Sequence, residues 1–386
     1  MNYIQLSSVQ VGGLICLPAL FVGFLLGKDL GFKSAMLSVY LANIILFILS
    51  VLVLKMTLSK RKTTVGYIES YFGLFGKKIA SITYLICLLG WFSINQNLIF
   101  SELIQIFGGV LLASVFSLLA GLSTVCFVIY GIDKIERVAS YAIPLMFCVL
   151  VYSICQSDLS GFNSGDFSLS MSSVIFAMNV CIGMVFDMPT FYRFSKDYKH
   201  GMISVFIVLL IAAPIVEGVG VYIGSYANEA QSMIDILYFD SLGGRVASAM
   251  FILLAGISTN NANLFSLVAN TEHFQIGGKR TYVMILGVLG SLIGFVNINE
   301  VLVDYLTLIN TGLIVISAST LVLYVFSGLD ESINTDCQKN ILIFSFVSSL
   351  PFVVATGQLT VGMAVYLLVF STLSFINKEA SHGLSI

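Results

Sequence analysis

Stretches of roughly 20 residues without a charged side chain recur from one end of this chain to the other, and each is long enough to cross a bilayer as an α-helix. Only 10% of the 386 residues are charged and 58% are apolar, against about a quarter charged in soluble domains. A backbone in lipid must satisfy its own polar groups, so the chain reads as a polytopic, all-α integral membrane protein.

Apolar runs set against charged or Gly/Pro-rich breaks predict twelve spans. They run over 9–27, 35–56, 79–106, 110–130, 138–155, 171–186, 202–226, 246–270, 281–296, 301–326, 341–357 and 359–377. The opening "MNYIQLSSVQ" has no basic residue and no cleavage site, so the first run is kept as a helix. With both termini cytoplasmic, fifteen of the eighteen Lys and Arg residues fall on the inner side; only Lys28, Lys33 and Arg245 fall outside. That balance follows the positive-inside rule and supports an even helix count; the expected location is the cytoplasmic (inner) membrane.

Several function classes drop out. The seven cysteines are odd in number and show no Cys-x-x-Cys spacing, while His200, His273 and His382 fall outside the apolar runs. Neither a zinc site nor a disulfide framework is expected. No His/Cys/Asp/Glu constellation or nucleophile–base pair lies within the spans, which argues against an enzyme. No basic patch points to nucleic acid, and no organic cofactor is implied.

Two spans look interrupted. The first reads "VQVGGLICLPALFVG", with Gly12, Gly13 and Pro18, and the sixth "MNVCIGMVFDMPTFYRF", with Gly183 and Pro189. Gly weakens a helix and Pro removes a donor, so the breaks are expected at these residues. Broken helices one and six are what two inverted five-helix repeats would show, with the breaks meeting near the midplane. Residues 1–326 would form this ten-helix core and 327–386 two peripheral helices.

The eighth span carries "AGISTNNANLF", which places Ser258, Thr259, Asn260, Asn261 and Asn263 within six residues. At helical spacing Ser258, Ala262 and Phe265 share one face, and Thr259 and Asn263 lie about 100° round. Two hydroxyls beside unwound carbonyls of the first span make an all-oxygen cradle for a small hard cation. Interhelical hydrogen bonding alone explains one or two such residues, not five. The third span carries "LLGWFSINQN", in which Trp91, the only tryptophan, and Asn95 face the same way. An indole beside an amide suits a planar, polar heterocycle. Glu217 is the deepest carboxylate and a candidate for proton coupling, with no basic residue at its depth. Asp187, Glu300, Asp304 and Glu102 sit nearer helix ends and are expected at the interface.

"GWFSINQN", "FDMPTFYRFSKDYK" and "ISTNNANLF", with the opening "VGGLICLPALFVGFLLGKDLGF", together resemble the nucleobase-cation symport-1 family, closest to its cytosine permease branch. The likeness runs in order from span one to about span ten. It implies a LeuT-like fold with alternating access and uptake of a nucleobase or related heterocycle with sodium. The family's sodium site carries over to the carbonyls of Gly12, Ile15 and Ala255 and the hydroxyls of Ser258 and Thr259. The substrate would stack on Trp91, with Asn95 and one of Asn260, Asn261 or Asn263 as polar contacts.

The chain also departs from that family. Where a second aromatic is usual on span six it has Cys181, and where Gln or Phe is usual on span one it has Cys16. Asn179 and Phe186 are the alternatives if the register differs. The acidic residue usual before the aromatic-x-Arg motif is Thr190 here. The expectation is a sodium-coupled symporter of a planar heterocycle, acting as a monomer. Its rivals are a proton-coupled permease using Glu217 and a non-transporting channel or sensor.

Overall fold

The computed structural model describes residues 1–156, 161–226, 242–275, 277–296, 302–327, 335–356 and 359–383. Glu300 and the side chains of Asp304 and His382 lie outside the described residues. Helices account for every predicted span. In order they are α1 (Tyr3–Leu14), α2 (Leu17–Leu30), α3 (Phe32–Lys60), α4 (Thr64–Phe107), α5 (Val110–Tyr130) and α6 (Ile132–Gln156). Then follow α7 (Met171–Phe186), α8 (Met188–Tyr192), α9 (Tyr198–Phe206), α10 (Ala213–Gly224) and α11 (Leu242–Asn270). The last four are α12 (Lys279–Ile293), α13 (Leu302–Ser327), α14 (Thr335–Thr356) and α15 (Leu359–Gly383).

Among the described residues six helices are each long and apolar enough to cross a membrane, and the bent pair α1 and α2 adds a seventh. Met171–Phe186, Leu313–Phe326 and Ala364–Asn377 are shorter apolar helices. The span between α9 and α10 continues as a π-helix over Ile207–Ala212, just ahead of Pro214. Pro214 cannot donate to the preceding turn, and a widened turn at that place accommodates the missing bond.

The first span is broken, with α1 and α2 meeting at 62°. The break is not where the glycines are. Gly12 and Gly13 stay helical within α1, and the chain leaves the helix at Ile15 and Cys16, the latter extended at φ −132°, ψ 157°. Pro18 stands in the first turn of α2, where its missing N–H costs nothing. What the glycines provide is close approach. A Cβ on Gly12 would lie 2.5 Å from the Ser258 hydroxyl and 2.7 Å from the Ala139 Cβ, and one on Gly13 would lie 3.3 Å from the Ala262 Cβ. The sixth span likewise breaks at Asp187 rather than Gly183. Gly183 lies inside α7 and its carbonyl accepts the Asp187 amide at 3.0 Å, while Pro189 opens α8.

Two more glycine pairs fix how the halves pack. On α2 a Cβ at Gly23 or Gly27 would overlap the carbonyl oxygens of Glu217 and Val221. On α10 one at Gly220 or Gly224 would overlap those of Leu20 and Phe24. The two backbones therefore touch along about two turns, the close approach that small residues four apart allow between membrane helices. The longest helix, α4, is kinked at Gly73 (φ 61°, ψ −158°) into a short leading arm and the membrane-spanning part. The α14 and α15 helices pack on each other and on α4 and α13, away from α1 and α7.

The two ends of the bundle are tied differently. At one, the N-terminal amino group donates to the Phe194 carbonyl at 2.5 Å, and the Lys196 amide to the Met1 carbonyl at 2.9 Å. Arg61, held in the left-handed region at φ 53° by the end of α3, donates to the carbonyls of Arg193 at 3.0 Å and Lys196 at 3.2 Å. At the other, residues 161–170 run as a strap: the amides of Phe32 and Lys33 donate to the carbonyls of Asn163 and Ser164, both at 3.0 Å.

Candidate functional site

Where the broken first and sixth spans face α4 and α11, they leave a cavity of about 120 Å³. Gln10, Gly13 and Cys16 line it from the first span, Trp91 and Asn95 from α4, Cys181 and Asp187 from the sixth, and Thr259, Asn263 and Ser266 from α11. Each contributing element is there for a local reason. The first span opens because the Cys16 amide donates to the Leu14 carbonyl at 2.8 Å instead of continuing the ladder to Gly12. That leaves the last carbonyls of α1 for other donors.

One of those donors is Thr259. Its hydroxyl lies 3.2 Å from the Gly13 carbonyl and 2.9 Å from the Ala255 carbonyl, bridging α1 and α11. Ser258, 3% exposed, stands beside Gly12 on the adjacent face. Of the five predicted sodium ligands, Ser258 and Thr259 thus face the last helical turn of α1 at Gly12 and Gly13, just before the break at Ile15, and Ala255 accepts the Thr259 hydroxyl. Oxygens of this kind, carbonyl and hydroxyl with no formal charge, are hard donors suited to an alkali cation. The residues present fit such an ion.

Trp91 is half-buried and lines the cavity rather than facing lipid. The Asn95 side-chain amide nitrogen donates to the Trp91 carbonyl at 3.1 Å, which holds the amide one turn from the indole. Cys16 and Cys181 both line the cavity, whereas Asn179 and Phe186 do not. Of the three asparagines only Asn263 reaches the cavity. Asn260 turns the other way, its side-chain nitrogen 3.5 Å from the Gln96 Oε1, and Asn261 is fully buried outside the cavity lining.

Glu217 is completely buried but is not a lining residue. Its Oε2 accepts the Asn43 side-chain nitrogen at 2.7 Å, and the Cys181 thiol points at Oε1 from 3.9 Å. A cysteine of the cavity wall therefore separates the carboxylate from the cavity.

Asp187 and Glu102 were expected at the interface, and both are buried, at 5% and 4% exposure. The reason at Asp187 is the break itself: the end of α7 lies inside the bundle, so a helix terminus here is not a membrane surface. Its Oδ1 accepts the hydroxyls of Thr190 at 2.8 Å and Thr64 at 3.2 Å and the Asn270 nitrogen at 3.0 Å. Its Oδ2 accepts the Ser266 hydroxyl. Thr64, Ser266 and Asn270 had no distinguishing sequence signal; the "FDMPT" motif, with an acid one turn before Thr190, was the one available pointer.

Helices bundled around a cavity that the broken first and sixth spans help to line give the LeuT-like fold. Compared with solved structures, the chain aligns over 97% of its length, and 91% of the other chain, with Mhp1, a nucleobase-cation-symport-1 family transporter, in a closed conformation with bromovinylhydantoin bound (TM-score 0.77, 14% identity). The inward-facing conformation of Mhp1 is less similar, at TM-score 0.69 with 14% identity over 100% of this chain and 93% of that one. A sodium-coupled sialic acid symporter in a substrate-bound outward-open state matches over 98% of this chain and 90% of that one (TM-score 0.70, 14% identity). No family model and no curated protein matches the chain.

Proposed function

We propose that the chain is a secondary active transporter that takes up a planar, nucleobase-like heterocycle together with sodium. The observation that carries this is the Thr259 hydroxyl bridging α11 to the broken first span, in the wall of the same cavity that Trp91 lines. Sodium would be held by the carbonyls of Gly12, Ile15 and Ala255 and the hydroxyls of Ser258 and Thr259. The heterocycle would stack on Trp91 with Asn95 and Asn263 at its edges, between Cys16 and Cys181. Because the ion ties span one to span eight, it shapes the neighbouring pocket, and by linkage each ligand raises the other's affinity by the same factor.

Residues 1–326 would form the transport core, with α14 and α15 peripheral to it. The chain would sit as a monomer in the cytoplasmic membrane with both termini inside, the end at which Met1, Arg61 and Arg193 gather. The test is thermal stabilisation of purified protein by a panel of pyrimidines, purines and hydantoins in sodium and in potassium, followed by vesicle uptake. Sodium-specific enhancement with concentrative uptake supports the reading. Equilibrating flux marks a channel, and binding without flux a sensor.

A second reading keeps the fold and couples uptake to protons through Glu217. The contact that favours it is Cys181, which touches both that carboxylate and the cavity. Uptake indifferent to sodium, dependent on pH and abolished by Glu217→Gln would select it.

A further inference from the structure

Asp187 occupies the break of the sixth span, closing α7 and preceding α8. What holds its carboxylate comes mostly from elsewhere. Thr64 of α4 donates to it from 123 residues away in sequence and Asn270, the last residue of α11, from 83; Ser266 of α11 covers the second oxygen. Only Thr190 is a neighbour on its own segment. The donors are also joined to one another. The Asn270 side-chain nitrogen lies 2.9 Å from the Thr190 hydroxyl, its Oδ1 accepts the Val65 amide at 3.1 Å, and the Thr64 and Thr190 hydroxyls are 3.2 Å apart. One carboxylate therefore pins the short α8 to both α4 and α11, through bonds about twice as strong as those between neutral groups.

These bonds hold a floor under the cavity. Asp187, Phe191 and Ser266 line it, whereas Thr64, Thr190 and Asn270 do not. The Phe191 ring packs 5.5 Å from that of Phe265, which lies 6.3 Å from Phe194, and the Arg193 guanidinium stands 4.7 Å over the Phe194 ring. Rings and carboxylate together close the cavity on the side where Arg61 holds the Arg193 carbonyl.

The floor is built to come apart. Residues at an element's end absorb the dihedral changes of a hinge, and Asp187 is such a residue between two helices. Its partners across the seam are neutral hydroxyls and an amide, which water replaces once the seam opens. The charge that acts on it, Arg193, ends α8 and moves with it. An ion pair across the seam would be expensive to split. Exchange of protein donors for water leaves the two states close in free energy, so a ligand resting on Phe191 tips the balance.

We propose that Asp187, held by Thr64, Ser266 and Asn270, is the latch that keeps the cavity shut toward the Arg61 and Arg193 end, and that its release opens the floor formed by Phe191, Phe194 and Phe265. This rests on the transporter reading above and adds how access to that cavity is controlled.

The experiment is double electron–electron resonance on the purified full chain with Cys126, Cys148, Cys155 and Cys337 replaced by serine. Spin labels at Lys196→Cys and His273→Cys, both exposed, flank the latch on the α8 and α11 sides. A second pair, Lys33→Cys and Val110→Cys, sits exposed at the opposite end. Asp187→Asn and Thr64→Val should each raise the ratio of a longer to a shorter distance in the first pair about tenfold, the equivalent of one bond to a charged acceptor. Thr64→Val combined with Asn270→Ala should raise it further. Thr64→Ser, which keeps the hydroxyl, should match the parent chain, and the second pair should not lengthen in any variant. If Asp187→Asn does not fold, the contrast between Thr64→Val and Thr64→Ser decides. An unchanged first pair, or lengthening at both ends as general loosening would give, overturns the latch. The measurement needs neither ion nor cargo. An unchanged first pair in a chain that still takes up its substrate would sink the latch alone, and opening at one end in a chain without uptake would sink the transporter reading and keep the latch.

Discussion

The Thr259 hydroxyl lies 3.2 Å from the carbonyl oxygen of Gly13, joining the eighth span to the first immediately before the latter loses its helical ladder. In helical proteins such a carbonyl is normally consumed by its own helix. Here the break hands it to another, and the sodium ion proposed for this junction would depend on the same atoms as the packing of the two spans.

Thr259→Val keeps the shape of the side chain and removes its oxygen. The lost hydrogen bonds are worth about 1 kcal/mol each in fold stability, so the protein should remain folded. Sodium-dependent stabilisation should weaken at least about tenfold in apparent ion affinity. Sodium titration of the melting temperature measures this, and an unchanged titration would remove Thr259 from the site.

Gly12→Val tests the same junction from the other side. Its side chain would meet the Ser258 hydroxyl and Ala139 in contacts that real Cβ atoms do not make. Overpacking of this kind costs about 1–3 kcal/mol. Both melting temperature and sodium response should fall, whereas Gly13→Ala, with its nearest contact at 3.3 Å, should be milder.

Trp91→Ala should weaken substrate binding with little loss of fold, because the indole is only half-buried and lines the cavity. Stacking contributes about 0.5–1.5 kcal/mol beyond the area buried, so affinity should drop roughly tenfold or more. Isothermal titration with the best ligand of the panel decides, and full affinity in the variant would refute the stacking role.

Glu217→Gln retains an oxygen for the Asn43 donor at 2.7 Å. Under sodium coupling, uptake by this variant should persist and stay sodium-dependent across pH. Loss of uptake with normal folding would transfer the coupling to a proton.

The spans were legible because lipid imposes a length and an apolar composition that few other folds share. Placement of the breaks was less so. Gly12, Gly13 and Gly183 were read as helix breakers, yet all three are helical, and at Gly12 and Gly13 what the missing side chain provides is room for α11 and α6. Composition cannot separate a glycine that bends a helix from one that admits a neighbour. Asp187 was misplaced for a related reason: charge near a helix end signals the interface in an unbroken span and the protein centre in a broken one. Trp91, Asn95 and Thr259 were found because a single indole and a run of hydroxyls and amides are rare in apolar helices. Asn260 and Asn261 belong to that run but not to the cavity, since successive residues point about 100° apart and only tertiary packing says which direction is inward.

The four glycines that bring α2 and α10 into backbone contact leave no slack for one helix to slide past the other. Any tilt of α2 must then carry α10 along as one rigid lever. The pliable points are left at Ile15 and Cys16 on one arm and at the π-helical turn of Ile207–Ala212 on the other. Since Glu217 rides on that lever opposite Asn43 of α3, opening the cavity toward the strap side would stretch the bond between them. In the proposed transport cycle the Asn43–Glu217 bond would thereby register the tilt of α2 and α10, whether or not the carboxylate ever moves a proton.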